Sequence, residues 1–184
     1  MANVGRMAQG RWPRTAHAAA ALLALAALTA CVPDPAPTPT PTGFASEEEA
    51  FAAAEDTTRA YVAATNAIQL ADPSTFEPLF ELTTGEQNAF DRKRLSEYHA
   101  AGYTMSGVTT INALEPEAWD EASASVTLLA CFDVSGLEIE DNSGSSIIAP
   151  DRPPEQSLMI SLVRVGADLL IDSIAGAEES NVCA

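Results

Sequence analysis

The sequence predicts an α+β domain, its helices gathered at the front and an antiparallel sheet behind them. Three observations carry this. Between residues 46 and 101 apolar residues recur at steps of three and four, the period of a helix with one buried face. From Tyr103 onward the period falls to two, with Val, Ile, Thr and aromatic residues prominent. The two patterns are segregated along the chain rather than interleaved, so the strands pair through turns and not through crossover helices.

Two segments of different character precede the folded part. In residues 1–30, Arg6, Arg11 and Arg14 supply a positive end, and residues 18–28 are an unbroken run of 11 Ala and Leu. At ~1.5 Å per residue this run falls short of a ~30 Å hydrocarbon core, and it reads as an export signal. No two arginines are adjacent, which favours general secretion over the twin-arginine route. The signal ends in Leu28-Thr29-Ala30-Cys31, which resembles the lipobox of bacterial lipoproteins. That resemblance implies cleavage after Ala30, lipidation of Cys31, and a protein held on the extracytoplasmic face of the cell membrane. A plain signal peptide cut elsewhere and an uncleaved anchor are the alternatives. Residues 31–45 then form a linker in which Pro33, Pro35, Pro37, Pro39 and Pro41 fix φ at every second position. As polyproline II, at ~3.1 Å per residue, it carries the domain roughly 35–40 Å from its anchor.

Loss of residues 1–30 removes three of nine basic residues and no acid, leaving six against 26, a net charge of −20. A field of that sign repels phosphate backbones, so nucleic acid is not an expected partner. It also repels a bare anionic bilayer, which makes a covalent anchor the more effective means of attachment. Residues 46–184 suffice for one domain with its own core.

Ser46 followed by Glu47, Glu48 and Glu49 has the pattern of a capping box and opens the first helix. Phe51, Ala54, Thr58, Tyr61, Val62, Thr65 and Ile68 form its inward stripe. Asp72-Pro73 stops it and begins a short helix at about 75–82, carrying Phe76, Leu79 and Phe80. A third helix, opened by Thr84 and Glu86, runs from about 85 to 99, presents Phe90, Leu95 and Tyr98, and stops at Gly102. Residues 103–114 read as one β segment with a bulge at Gly107. The clearest strand is 122–134, with Val126, Leu128, Ala130, Phe132 and Val134 on one face. Residues 135–156 are acidic and rich in Gly, Ser and Pro, and read as a long hairpin connection. Strands at 156–165 and 169–175, joined by Gly166-Ala167-Asp168, complete the sheet. A tail from Gly176 carries Cys183. With Cys31 acylated in an oxidising compartment, Cys131 and Cys183 are left to form a disulfide, two separate thiols being the alternative.

This order of elements resembles the nuclear transport factor 2-like superfamily, in which a curved sheet wraps helices into a cone with a pocket at its wide end. More narrowly, Asp72-Pro-Ser-Thr-Phe-Glu-Pro-Leu-Phe, Leu82-Thr-Thr-Gly-Glu and Ala130-Cys-Phe-Asp-Val look like exported actinobacterial lipoproteins of that fold. A cystatin-like sheet around one helix is the rival fold. The resemblance implies a pocket whose candidate lining residues are Tyr61, Tyr103 and Asp172, the last on a face shared with Leu170 and Ile174. Enzymes of the superfamily use an Asp base and a hydroxyl donor, for which Asp133, Asp172 and Tyr61 are the candidates. No catalytic residue is assigned, because no convergent acid–donor set is legible. His99 stands alone after His17 leaves with the signal, so no histidine pair for a metal exists. Residues 138–144 offer oxygen ligands but lack the EF-hand pattern, and read as a solvated hairpin tip. No glycine loop for phosphates is present, and no cofactor is expected. The expected function is a non-enzymatic binding or interaction module for a small apolar ligand or a cell-envelope protein. An isomerase, cyclase or hydrolase using the pocket is the alternative.

Overall fold

The computed structural model describes residues 43–177 and 179–184. The signal segment, Cys31 and the linker up to residue 42 lie outside the described residues. What is described is an α+β domain in which three helices precede an antiparallel sheet. Helix α1 is Glu47–Asn66, α2 is Glu77–Phe80 and α3 is Gly85–Ala101. Strands β2 (Thr110–Asp120), β3 (Ser125–Asp133), β5 (Glu155–Val165) and β6 (Asp168–Gly176) form the main sheet in the order β2-β3-β5-β6. Strands β1 (Thr104–Ser106) and β4 (Glu138–Glu140) pair as a separate two-stranded sheet.

The helix boundaries follow local chemistry. Ser46 caps α1 by accepting from the Glu49 amide at 3.2 Å, and the Glu49 carboxylate reaches back to accept from the amide of Ala45, the residue before the cap, at 2.7 Å. Asp72 caps a single 3₁₀ turn, Pro73–Phe76, that leads into α2. The expected short helix is therefore two pieces. Gly102, at φ 71°, ends α3 in the left-handed conformation.

The core lies between one face of the main sheet and the helices. Val126, Leu128, Ala130 and Phe132 alternate inward along β3, opposite Leu162, Ile160, Leu158 and Gln156 of β5. Ala50 and Ala54 face them from α1, and their small side chains let the helix lie close to the sheet. Ala50, not Phe51, opens the buried stripe, and Phe51 packs at its margin.

Three register shifts bend the sheet. Two are in β2, between Ile111 and Ala113 and between Pro116 and Ala118. They let Ile111, Leu114 and Trp119 all pack toward the core although their spacings are odd. The third is in β6, where Ser161 pairs with Ser173 but Leu162 pairs with Ile171. Asp172 is the extra residue. The shift puts Ile171 and Ile174 on the core side and takes Asp172 off the face it was expected to share with Ile174.

The expected single segment 103–114 is broken instead of bulged. Gly107, at φ 80°, packs against the Gly136 carbonyl so closely that a Cβ would collide with it, and the chain passes from β1 to β2 there. Within the expected hairpin connection lies β4, whose partner is β1: Thr104 faces Glu140 and Ser106 faces Glu138. At the other end of the chain, Cys131 and Cys183 form a disulfide with Cα atoms 5.1 Å apart. Cys131 is on the sheet face away from the helices, and Val182 is buried there with it. The tail is led across by the Ala177 amide, which donates to the Ser157 carbonyl.

Candidate functional site

The helices and sheet pack tightly at one end and diverge at the other. At the tight end Val126, Leu128, Ile160, Leu162 and Ile171 are fully enclosed. At the other, Tyr61, Val62 and Thr65 of α1 stand across from Phe132, Leu158 and Ile174 of the sheet around a cavity of about 410 Å³. The 137–152 segment closes one side with Leu137, Ile139, Ile147 and Ile148. Helix α3 supplies another wall through Gln87, Phe90, Arg94 and Tyr98. Phe90 and Ile147, both exposed, mark the rim.

Behind the α3 wall is a polar cluster. Asp91 has no exposed surface. Its carboxylate accepts from the Tyr61 hydroxyl at 3.2 and 3.3 Å, from Gln87 Nε2 at 3.0 Å and from Arg94 Nη2 at 3.3 Å. Gln87 Nε2 also donates to the Tyr61 hydroxyl at 3.1 Å. Burial raises the Asp91 carboxyl above the ordinary carboxylate range, against the Gln87 hydrogen bond, the Arg94 charge and the Tyr61 hydrogen bond. Burial and the adjacent Asp91 carboxylate push the Tyr61 phenol well above its ordinary value. The Tyr61 proton is thus committed to Asp91, and the cavity meets the cluster through Tyr61, Gln87 and Arg94.

A second polar group sits in the opposite wall. Arg152 Nη2 donates to the carbonyls of Val134 at 2.7 Å and Leu137 at 3.1 Å. The turn that holds it is tied by its own amide, which donates to Ala149, and by the Val134 amide, which donates to Pro154.

Of the residues named from sequence, Tyr61 lines the cavity. Tyr103 and Asp172 are not among its lining residues, and both assignments are corrected. Tyr103 follows the end of α3 and packs on Tyr98, ring centroids 5.5 Å apart. Asp172, displaced by its bulge, lays its carboxylate on Gly85 at the start of α3. Asp133 holds the turn after β3 by accepting from the Ser135 amide at 2.8 Å, and this hydrogen bonding lowers its pKa. His99 donates from Nδ1 to the Leu70 carbonyl at 2.7 Å, joining α3 to the loop after α1. In the acidic hairpin, Asp141 accepts from Ser143 and from the Ser145 amide. Among the described residues, no group of three or more His, Cys, Asp or Glu is placed to hold a metal.

The sequence reading missed Gln87, Asp91, Arg94 and Arg152. Gln87, Asp91, Leu95 and Tyr98 lie at helical spacing, and that stripe, not the one through Phe90, is the inward face of α3. The signal was present but polar, and an apolar-periodicity reading passes over it. Arg152 carried no signal beyond its proline neighbours. Comparison with known proteins returns no matching family model and no matching curated relative.

Proposed function

We propose that this chain is an exported lipoprotein, held through Cys31 on the extracytoplasmic face of the cell membrane. Its nuclear transport factor 2-like domain is a non-enzymatic module that binds a small apolar ligand. The observation that carries the binding reading is the cavity of about 410 Å³ between α1, α3, the sheet and the 137–152 segment. Ligand pockets run from ~300 to 1,000 Å³, mostly apolar with a few placed polar groups. Three helices ahead of a bulged antiparallel sheet support the superfamily assignment. The anchor rests on the lipobox residues and the proline linker that follows them.

Binding is favoured over turnover by the state of the polar cluster. The carboxylate is enclosed and the phenol points its proton at that carboxylate, so neither is offered to a substrate. Metabolic labelling with a clickable fatty acid, followed by native mass spectrometry, tests both parts. Label that is lost in Cys31→Ser, and a bound mass that is lost in Ala149→Trp at the cavity wall, are the expected results. Equal labelling of wild type and Cys31→Ser would remove the anchor.

A further inference from the structure

We infer that the cavity takes an amphipathic anion, an apolar body with a single oxyanion head read by Arg152 together with Arg94; this rests on the cavity being a ligand site, as proposed above. Residues 31–184 contain only six basic side chains against 26 acids, yet two of the six line this one apolar cavity. Arg59, Lys93 and Arg94 each have a carboxylate partner, and Arg92 and Arg164, which have none among the described residues, lie over the Phe80 and Phe44 rings. Arg152 is half-buried and, among the described residues, has no carboxylate within salt-bridge distance. Backbone carbonyls hold it instead, both on Nη2, which leaves Nε and Nη1 without a protein acceptor among the described residues. Of these Nη1 carries two hydrogens, enough for a charge-assisted hydrogen bond to an oxygen of a carboxylate, sulfonate or phosphate group.

The mounting is rigid. Pro150, Pro153 and Pro154 flank Arg152, and two backbone hydrogen bonds fix the turn. A charged side chain fixed in place loses little freedom when a ligand arrives. Arg94 contributes from α3. It makes one contact to Asp91 at 3.3 Å, and its guanidinium lies 4.8 Å from the centre of the Phe90 ring at the rim. An apolar cavity of ~150 Å³ holds one benzene, so this one has room for roughly two to three rings or an equivalent aliphatic body.

Two dyes with the same three-ring body test the inference, anilinonaphthalene sulfonate and its neutral parent N-phenyl-1-naphthylamine. Fluorescence titration uses the full chain carrying Cys31→Ser, so that no acyl chain competes, and counts only the signal that Ala149→Trp abolishes. The expected result is a sulfonate bound at least about tenfold tighter than the neutral dye, as for a charge-assisted pair. Arg152→Gln should bring the ratio close to one with neutral binding retained, and Arg152→Lys should keep part of it. Equal affinities in the chain with Arg152 intact would overturn the anion inference and leave the apolar site standing. That comparison needs no arginine variant, so a folding defect in Arg152→Gln does not blur it. If neither dye gives a signal that Ala149→Trp removes, the ligand-site reading fails as well.

Discussion

Asp91 is enclosed between α1 and α3, and three donors keep it there. Removing a carboxylate from water costs several kcal/mol, and hydrogen bonds to a charged group return ~1.5–3 kcal/mol each, so the balance is close. Burial prevails, and the folded pKa is raised. The fold therefore holds the Asp91 proton more tightly than the unfolded chain does. Its contribution to stability is fully present below the ordinary carboxylate pKa and is lost as pH rises through the raised value. Asp72, Asp120, Asp133 and Asp141 have the opposite sign. Serine side chains and amides hydrogen-bond each of them and lower its pKa, so their contribution is lost as pH falls. Asp91→Asn isolates the first effect, because the other four cancel in the comparison. The variant should gain stability relative to wild type as pH rises from about 4 to 7, read by urea melts across that range. A difference that does not change with pH, or shrinks, would mean that Asp91 ionises freely in the fold.

Between elements, most of the geometry around the cavity is set at joints. Asn66, the last residue of α1, exchanges two hydrogen bonds of 2.8 Å with the Thr109 backbone and so fixes the helix end to the start of β2. The segment 82–84 pairs with β6, the Thr84 amide donating to Ile171 and the Ile171 amide to Leu82, and this covers part of an edge strand. Gly107 is the joint between the two sheets. Gly107→Ala would have to hold a φ near 80° and push back the Gly136 carbonyl. A cost of ~2 kcal/mol is expected, lowering the melting temperature by roughly 4–8 °C in a domain of this size. An unchanged melting curve would show that the β1–β2 break tolerates a side chain. Asn66→Ala should cost ~1–3 kcal/mol by leaving two backbone groups of Thr109 unpaired, and amide exchange at Thr109 should rise.

For the molecule as a whole, the disulfide constrains what the helices do not. Its residues are 52 apart in sequence, and closing such a loop restricts the unfolded chain by ~4 kcal/mol in the entropy model. It also holds Val182 against the sheet face opposite the core. Cys183→Ser should lower the melting temperature by about 10 °C and raise amide exchange most strongly in the tail. If only the tail responds and the melting temperature holds, the bond ties down a terminus and does not stabilise the domain. Phe44, near the first described residue, and the cavity lie at opposite ends of the sheet. Phe44 stacks on Arg164, 4.0 Å from ring centre to guanidinium, whereas Phe132, Leu158 and Ile174 stand at the cavity end.

The sequence by itself determined the α+β class, the two long helices with the Ser46 and Gly102 caps, and the long strands of the main sheet, whereas β4 and the break between β1 and β2 escaped it. Those signals are local: Ser46 and Glu49 are three residues apart, and the alternation along β3 needs no partner to be read. The pairing of Cys131 with Cys183 was an expectation that assumed Cys31 to be acylated, and the bond itself is seen in the structure. Only the tertiary structure decided which face of α3 turns inward. Asp91 and Gln87 are buried because Tyr61, 30 and 26 residues away, comes close enough to share protons with them. It likewise decided the phase of β6, since one extra residue at 172 exchanges faces from there on. Arg152 became visible in the same way. Its partners are two backbone carbonyls brought to it by the fold, and backbone carbonyls carry no residue identity for a sequence to display.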